Sequence, residues 1–368
     1  MPELSRYQKQ ILFAEIGEAG QRRLMQRQVL LVGCGALGCV LADAMVRAGV
    51  GHVRIVDRDF VELSNLQRQI LFTEDDVAEH IPKAVAAARR LRRVNSGITI
   101  EPIVADVGFS NIRQFADGAD LILDGSDNFE VRYLINDLSL ETGIPWIFTG
   151  CTGSTGQVMP VIPGETACLR CLIPDPPPPG STETCDTAGV IGPAIGVTAS
   201  LQATLALKLL SGEQYSPKSG GGNYERRDAG KSKSSRSIFE SPKLTIIDVW
   251  DGTFRQVDVS GLRNDDDCPA CKHGERLWLD GTQSSGSTVL CGRNAVQISP
   301  PEKVSLSLGE LAGRLDSAGT VTSNPFLVRV AVRGSDLELT VFPDGRAIVK
   351  GTEDSGIARA VYSRYVGS

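Results

Sequence analysis

VLLVGCGALGCVLADAMVRAGVGHVRIVD, residues Val29–Asp57, is the stretch from which the fold is read. The uninterrupted apolar run Val29–Gly33 reads as a strand buried on both faces. Gly33-Cys34-Gly35-Ala36-Leu37-Gly38 fits GxGxxG. The first glycine of that pattern makes a tight turn, the second lets the backbone approach a phosphate, and the third lets helix pack on strand. Ala36–Ala48 carries helical periodicity and stops at Gly49. His52–Asp57 is a second strand, ending on an acid where a carboxylate can hold ribose hydroxyls. The unit is therefore read as a nucleotide cradle at a helix N-terminus, with Gly33, Gly35, Gly38 and Asp57 as contacts. The motif does not say which nucleotide. A nicotinamide-dependent oxidoreductase and an ATP-using enzyme are both open at this point.

Outward from this stretch, strands and helices keep alternating. Lys83–Val94 reads as helix, Ile98–Val104 as strand, Asn111–Ala116 as a short helix and Asp120–Asp124 as strand. Asn128–Glu141 reads as helix and Pro145–Gly150 as strand. Such alternation predicts an α/β fold with a Rossmann-like, doubly wound, mostly parallel sheet. Beyond Gly150 a β-rich return is expected over Thr152–Val161 and Leu244–Val257. Between them lies a cysteine-bearing loop, residues 174–188, with four consecutive prolines that no helix or central strand accommodates. The apolar run Gly189–Leu210 is read as a buried core helix, because Pro193, Ser200, Gln202 and Lys208 interrupt it. Residues 211–241 are read as a flexible insertion, and 276–287 as a linker to a small α/β tail over 288–368. The first domain is placed at residues 1–275.

Charge favours ATP over a dinucleotide. ELSNLQRQ, Glu62–Gln69, follows Asp57 and Asp59 and puts Asn65 and Arg68 three apart on the loop leaving the second strand. Lys83 then opens the next helix. A second cationic set beside one nucleotide fits a triphosphate. DGSDN, Asp124–Asn128, ends a strand on the ligand side of the sheet, and Asp127 there is a hard oxygen ligand suited to Mg²⁺, with Asn128 beside it. The three histidines form no plausible Ser/His/Asp set. A net charge of −6 over 368 residues gives no reason to expect a nucleic-acid or membrane partner.

Nine cysteines, an odd count, and no signal-peptide pattern favour a reducing cytoplasm and a metal site over a disulfide framework. Cys168-x-x-Cys171 and Cys268-x-x-Cys271 supply four thiolates suited to a closed, structural, tetrahedral Zn²⁺ site. Cys185 lies on the Pro-rich loop ahead of a helix, where a thiolate is favoured.

Together, RYQKQ (Arg6–Gln10), GCGALG, DRDFVELSNLQRQ (Asp57–Gln69), IPKA, DGSDNFEVR (Asp124–Arg132), the CxxC pairs and TCDTAGV (Thr184–Val190) resemble the ThiF/MoeB/HesA family, bacterial relatives of ubiquitin-activating enzymes. The resemblance spans about residues 5–275. The tail, with VLCGRNAVQISPP and FPDGRAIVKGT, looks like the extension on ThiF-type thiazole-biosynthesis adenylyltransferases. The resemblance implies ATP-dependent adenylation of the C-terminal glycine of a ubiquitin-like sulfur carrier ending in Gly-Gly, with pyrophosphate released. It implies ATP held by the glycine loop and Asp57, phosphate contacts from Asn65, Arg68 and Lys83, and Mg²⁺ on Asp127. It also implies a homodimer in which the basic residue of the RYxRQ motif, here Lys9, reaches the partner's ATP site. Lys9 replaces the arginine usual at that position and loses its bidentate fork. Cys185 matches a cysteine that acts after adenylation, during sulfur transfer from a sulfurtransferase or cysteine desulfurase. The carrier of thiazole (thiamine) or molybdopterin synthesis is expected as partner. A conjugation-tag activating enzyme and an NAD-dependent oxidoreductase are the alternatives.

Overall fold

The computed structural model describes residues 4–177, 188–212, 242–264, 267–283, 287–290, 294–298, 300 and 304–367. It divides into two compact units, Met1–Gln283 and Ser284–Ser368.

The first unit is built on an eight-stranded sheet. Its strands are β1 (Gln28–Val32), β2 (His52–Asp57), β3 (Thr99–Val104), β4 (Leu121–Asp124), β5 (Trp146–Thr152), β6 (Thr155–Val161), β7 (Lys243–Asp248) and β8 (Thr253–Asp258). The order is β3-β2-β1-β4-β5-β6-β7-β8, parallel from β3 to β5 and antiparallel from β5 to β8. The continuous apolar runs of β1 and β4 follow from helices covering both faces. On one face the helices Ala36–Ala48, Lys83–Val94 and Gly192–Ser211 bury Leu41, Met45, Leu91, Ile195 and Leu209. On the other, Phe129–Thr142 buries Tyr133 and Leu138 with Trp146 and Trp278.

Gly192–Ser211 is long and apolar enough to cross a membrane by length and composition. It packs on Ala36–Ala48, β5 and β6, and its face with Ile195, Ala199, Ala203 and Ala206 lies in the core. Pro193 sits in its first turn, where a missing N–H costs nothing.

The strand order turns around at β1, which lies between β2 and β4. Chains leaving β1 and β4 therefore diverge to opposite faces and open a crevice at their carboxyl ends.

The segment expected to be a linker, 276–287, is not one as far as Gln283. Trp278 and Leu279 are buried, and both backbone N–H groups donate to Asp137 Oδ2, at 3.0 and 3.4 Å. The first unit therefore runs to Gln283. Cys185, most of the Pro-rich loop and the insertion from 213 to 241 lie outside the described residues.

The second unit is an antiparallel six-stranded sheet, order β11-β12-β13-β14-β10-β9. Its strands are β9 (Ser287–Leu290), β10 (Ala295–Ile298), β11 (Gly319–Asn324), β12 (Leu327–Val332), β13 (Glu338–Val341) and β14 (Ala347–Lys350). The helices Leu308–Leu315 and Ser355–Tyr365 cover one face, burying Leu311, Leu315 and Ala358 against Val328, Val330, Leu339 and Val349. The edge strands β9 and β11 are absent from the sequence reading. β11, GTVTSN, is short and polar and carries no apolar run.

Candidate active site

The glycine turn is locked to the β4 loop by close backbone packing. Gly33 has φ +88, and a Cβ there would lie 2.7 Å from Gly125 O. A Cβ on Gly125 would lie 2.5 Å from Gly33 O, and one on Gly38 would overlap Gly33 O. Gly35 differs: the nearest atom to its Cβ position is Gln69 Nε2, 4.0 Å away. The first and third glycines are thus needed for packing, and the second leaves open space. The helix Ala36–Ala48 starts there with no side-chain cap, so its first-turn N–H groups face that space.

Asp57 supports the turn from β2. Its Oδ2 accepts from the Cys34 N–H at 2.6 Å and its Oδ1 from the Asp59 N–H at 2.7 Å. Burial raises its carboxyl, and Lys83 and the two N–H donors offset this in part. A carboxylate has about four acceptor sites, so it retains capacity for ribose hydroxyls.

Lys83 does not stand alone as a phosphate cation. Its Nζ lies 3.0 Å from Asp59 Oδ2, with 3% of the side chain exposed, and its N–H donates to Asp59 O at 2.9 Å. A short antiparallel bridge, Phe60 to Pro82, brings these two segments together. Arg58 lies on the other side of Asp59, at 3.8 Å, and donates to Asp106 Oδ1 at 3.0 Å. Burial works against the charge of Arg58, but Asp106, Asp59 and Asp127 together raise its pKa.

Asn65 is buried and caps its own turn, accepting from the Glu62 N–H at 3.0 Å. Arg68 is half-buried and donates to Ser64 O at 2.9 Å, so it stays on the same loop. That loop meets the start of the Gly192–Ser211 helix, where a Cβ on Gly192 would lie 3.3 Å from Gln67 O.

Asp127 is exposed at the crevice and Asn128 caps the next helix, accepting from the Glu130 N–H at 2.8 Å. The loop carrying them is fixed by residues that the sequence reading did not single out. Buried Asp124 accepts from Ser126 N–H and Oγ–H at 2.9 and 2.6 Å, and from Arg132 Nε at 3.2 Å. Arg132 Nη2 also donates to Ser126 O at 3.0 Å. Gln202, from the core helix, donates to Asp124 O at 3.0 Å and Ile147 O at 3.1 Å.

Lys9 is not part of this group. It is exposed on the short helix Gln8–Ile11, and its neighbour Gln10 donates to Ala48 O at 3.0 Å. That is the far end of a 13-residue helix, about 20 Å from the glycine turn at 1.5 Å per residue.

Away from the crevice, the four cysteines converge. Their sulfurs lie within 4.8 Å of one another. Cys168–Cys268 and Cys168–Cys171 are 3.7 Å apart and Cys171–Cys271 3.5 Å. Zn–S bonds of about 2.3 Å in a tetrahedron put sulfurs about 3.8 Å apart, so the set fits Zn²⁺. The Cys171 thiol and burial push Cys168 well up, and burial with Cys168 pushes Cys271 up to about 12. This crowding favours neutral thiols; a divalent cation reverses the preference. Arg263, Lys272 and Arg276 line the hollow beside Cys168 and Cys271, where they would offset the excess negative charge of four thiolates on one divalent ion.

The family model described as the ThiF family matches residues 7–270. The chain is 41% identical over 363 residues to the sulfur carrier protein ThiS adenylyltransferase of Bacillus subtilis (strain 168), covering 98% of this chain and 99% of that one. It is 37% identical over 272 residues to the SAMP-activating enzyme E1 of Haloferax volcanii, covering 74% and 90%. Among solved structures, E. coli MccB with ATP superposes with a TM-score of 0.56 at 21% identity over 73% of each chain, which shows the fold alone. On its sequence match over residues 7–270, the chain belongs to the ThiF family.

Proposed function

We propose that this protein is an adenylyltransferase that uses ATP to activate the C-terminal glycine of a ubiquitin-like sulfur carrier. The observation that carries this is the 41% identity across 98% of the chain to a relative named for that reaction. The open face of Gly35 within an otherwise close-packed turn supports it. The relatives give no support to the nicotinamide alternative.

In this reading the carrier's terminal carboxylate attacks the α-phosphorus of ATP. The bond to the bridging oxygen breaks and pyrophosphate leaves. Two anions must meet, so cations and alignment supply the catalysis. The glycine turn and helix N-terminus take the phosphates, Asp57 the ribose, and Arg68 and Lys83 the departing charge. Lys83 would then exchange Asp59 for phosphate, or share itself between them. Asp127, exposed and anionic, with Asn128 beside it, would hold Mg²⁺, whose positive charge would offset that of the phosphates. Asn65 acts by fixing the loop of Arg68. Lys9, remote from its own crevice, completes the site of a partner subunit in a homodimer. Cys185 takes part after adenylation, when a sulfurtransferase or cysteine desulfurase delivers sulfur. The full-length match to a ThiS adenylyltransferase favours thiazole and thiamine synthesis over molybdopterin synthesis. The cytoplasm is the compartment proposed, on the cysteine usage of the sequence.

The test is to incubate the protein with Mg·ATP and candidate Gly-Gly-ended carriers, following pyrophosphate exchange and carrier mass. Exchange that depends on one carrier, with that carrier gaining an adenylyl group, is expected. Exchange with none of them sinks the proposal.

A further inference from the structure

A nucleotide on a sheet of this order lies across the carboxyl ends of its strands, phosphates at the glycine turn and ribose at the acid ending β2. The base then extends beyond the ribose, over the ends of β2 and β3. The side chains standing there are Arg58, the residue after Asp57, and Asp106, two residues past β3. β2 and β3 pair in parallel with Asp57 opposite Val104, so the two chains leave the sheet side by side. Arg58 Nη1 donates to Asp106 Oδ1 at 3.0 Å, and the side chains are 22% and 28% exposed. They are neither core nor free surface, and they face the crevice end of the sheet. The loop behind them is fixed, because Asn111 Nδ2 donates to Asp106 O at 2.7 Å and Asn111 Oδ1 accepts from the Gly108 N–H at 2.9 Å. The phosphate and magnesium chemistry above makes no use of this pair.

We propose that Asp106 and Arg58 form the wall that selects the base. The Asp106 carboxylate accepts a hydrogen bond from the 6-amino group of adenine, and the planar Arg58 guanidinium stacks on the purine. An ionised carboxylate is an acceptor only, with about four acceptor sites, so the bond from Arg58 leaves capacity for a second donor. A 6-oxo purine would set its carbonyl oxygen against that carboxylate, acceptor to acceptor. Asp106 is thereby a specificity-determining residue, and Arg58 both holds it and packs on the ligand. The inference rests on the reading of the protein as an ATP-using enzyme.

The test is calorimetric titration of the full chain, without carrier, with the Mg²⁺ complexes of ATP, ITP and purine riboside 5′-triphosphate, which lacks the 6-amino group. The wild type is expected to bind ATP about tenfold or more tightly than either analogue. Asp106→Leu should weaken ATP about tenfold and bring purine riboside triphosphate to within about threefold of it. Asp106→Asn, whose amide can donate to O6, should bring ITP to within about threefold of ATP. Equal wild-type affinity for ATP and purine riboside triphosphate overturns the inference without any variant. So does parallel loss of all three nucleotides in both variants, which is what a merely structural pair would give. Selective ATP binding without carrier-dependent exchange would keep the base wall and remove the adenylation reading; exchange with unselective binding would do the reverse.

Discussion

Gly35 and Gly38 stand three residues apart, yet a methyl group added to each meets different surroundings. At Gly38 it overlaps Gly33 O; at Gly35 nothing lies closer than 4.0 Å. Gly38→Ala should therefore cost stability, about 2–3 kcal/mol as overpacking does, seen as a lower Tm. Gly35→Ala should lower Tm less and weaken ATP about tenfold or more, because it fills phosphate space. Equal loss of Tm in both would contradict this division. The three glycines were legible in the sequence because spacing alone distinguishes their roles. The partners of the charged residues were not. Lys83 and Asp59 are 24 residues apart and meet through a two-residue bridge with no sequence signature. Asp106 meets Arg58 only because β3 pairs with β2.

The helix Phe129–Thr142 links the crevice to the cysteine cluster. Its first turn follows Asp127 and Asn128. One face further along, at i, i+3 and i+4, carries Tyr133, Asn136 and Asp137. Tyr133 OH donates to Ile173 O at 2.9 Å, Asn136 Oδ1 accepts from the Leu169 N–H at 2.8 Å, and Asp137 takes the N–H groups of Trp278 and Leu279. Both limbs bearing CxxC pairs are thus held by one helix. Burial raises the Asp137 carboxyl to about 6, although Trp278, Leu279 and nearby arginines lower it in part. The folded chain then keeps a proton that the unfolded chain releases near pH 4. Stability from this group is present below about pH 4 and is lost as pH rises through about 6. Asp137→Asn should accordingly melt higher relative to wild type at pH 7.5 than at pH 5, by a few degrees or less. Scanning calorimetry checks this, and a difference that does not change with pH would refute it. Helix and strands here were legible from apolar periodicity. The polar face was not, because a clamp on backbone N–H groups leaves no pattern in the clamped segment.

At the scale of the molecule, the parallel half of the first sheet and its nucleotide turn were readable because buried parallel strands appear as apolar runs. The strands at sheet edges were less so: β8 is exposed along its whole length and β11 is polar. The boundary near residue 283 was obscured because Trp278 and Leu279 are followed by polar residues that resemble a linker. The remoteness of Lys9 from its own crevice sets a prediction for the assembly. Lys9→Ala and Lys83→Ala should each lose most pyrophosphate exchange. Mixed and allowed to exchange subunits, they should recover about a quarter of wild-type activity, since half of random dimers are mixed and each has one complete site. No recovery on mixing would place Lys9 outside the partner's site.

The cysteine cluster also changes what kind of object the chain is. Cys168 and Cys268 are 100 residues apart in sequence and 3.7 Å apart in space. With a metal bound, the chain between them becomes a closed ring rather than an open thread. The core helix, β7 and β8 all lie on that ring. A single broken peptide bond anywhere along it leaves one particle in one piece, with its two ends still joined through the ion. A single cut between Cys171 and Cys268 therefore does not sever the nucleotide crevice from the second unit, so long as the metal stays.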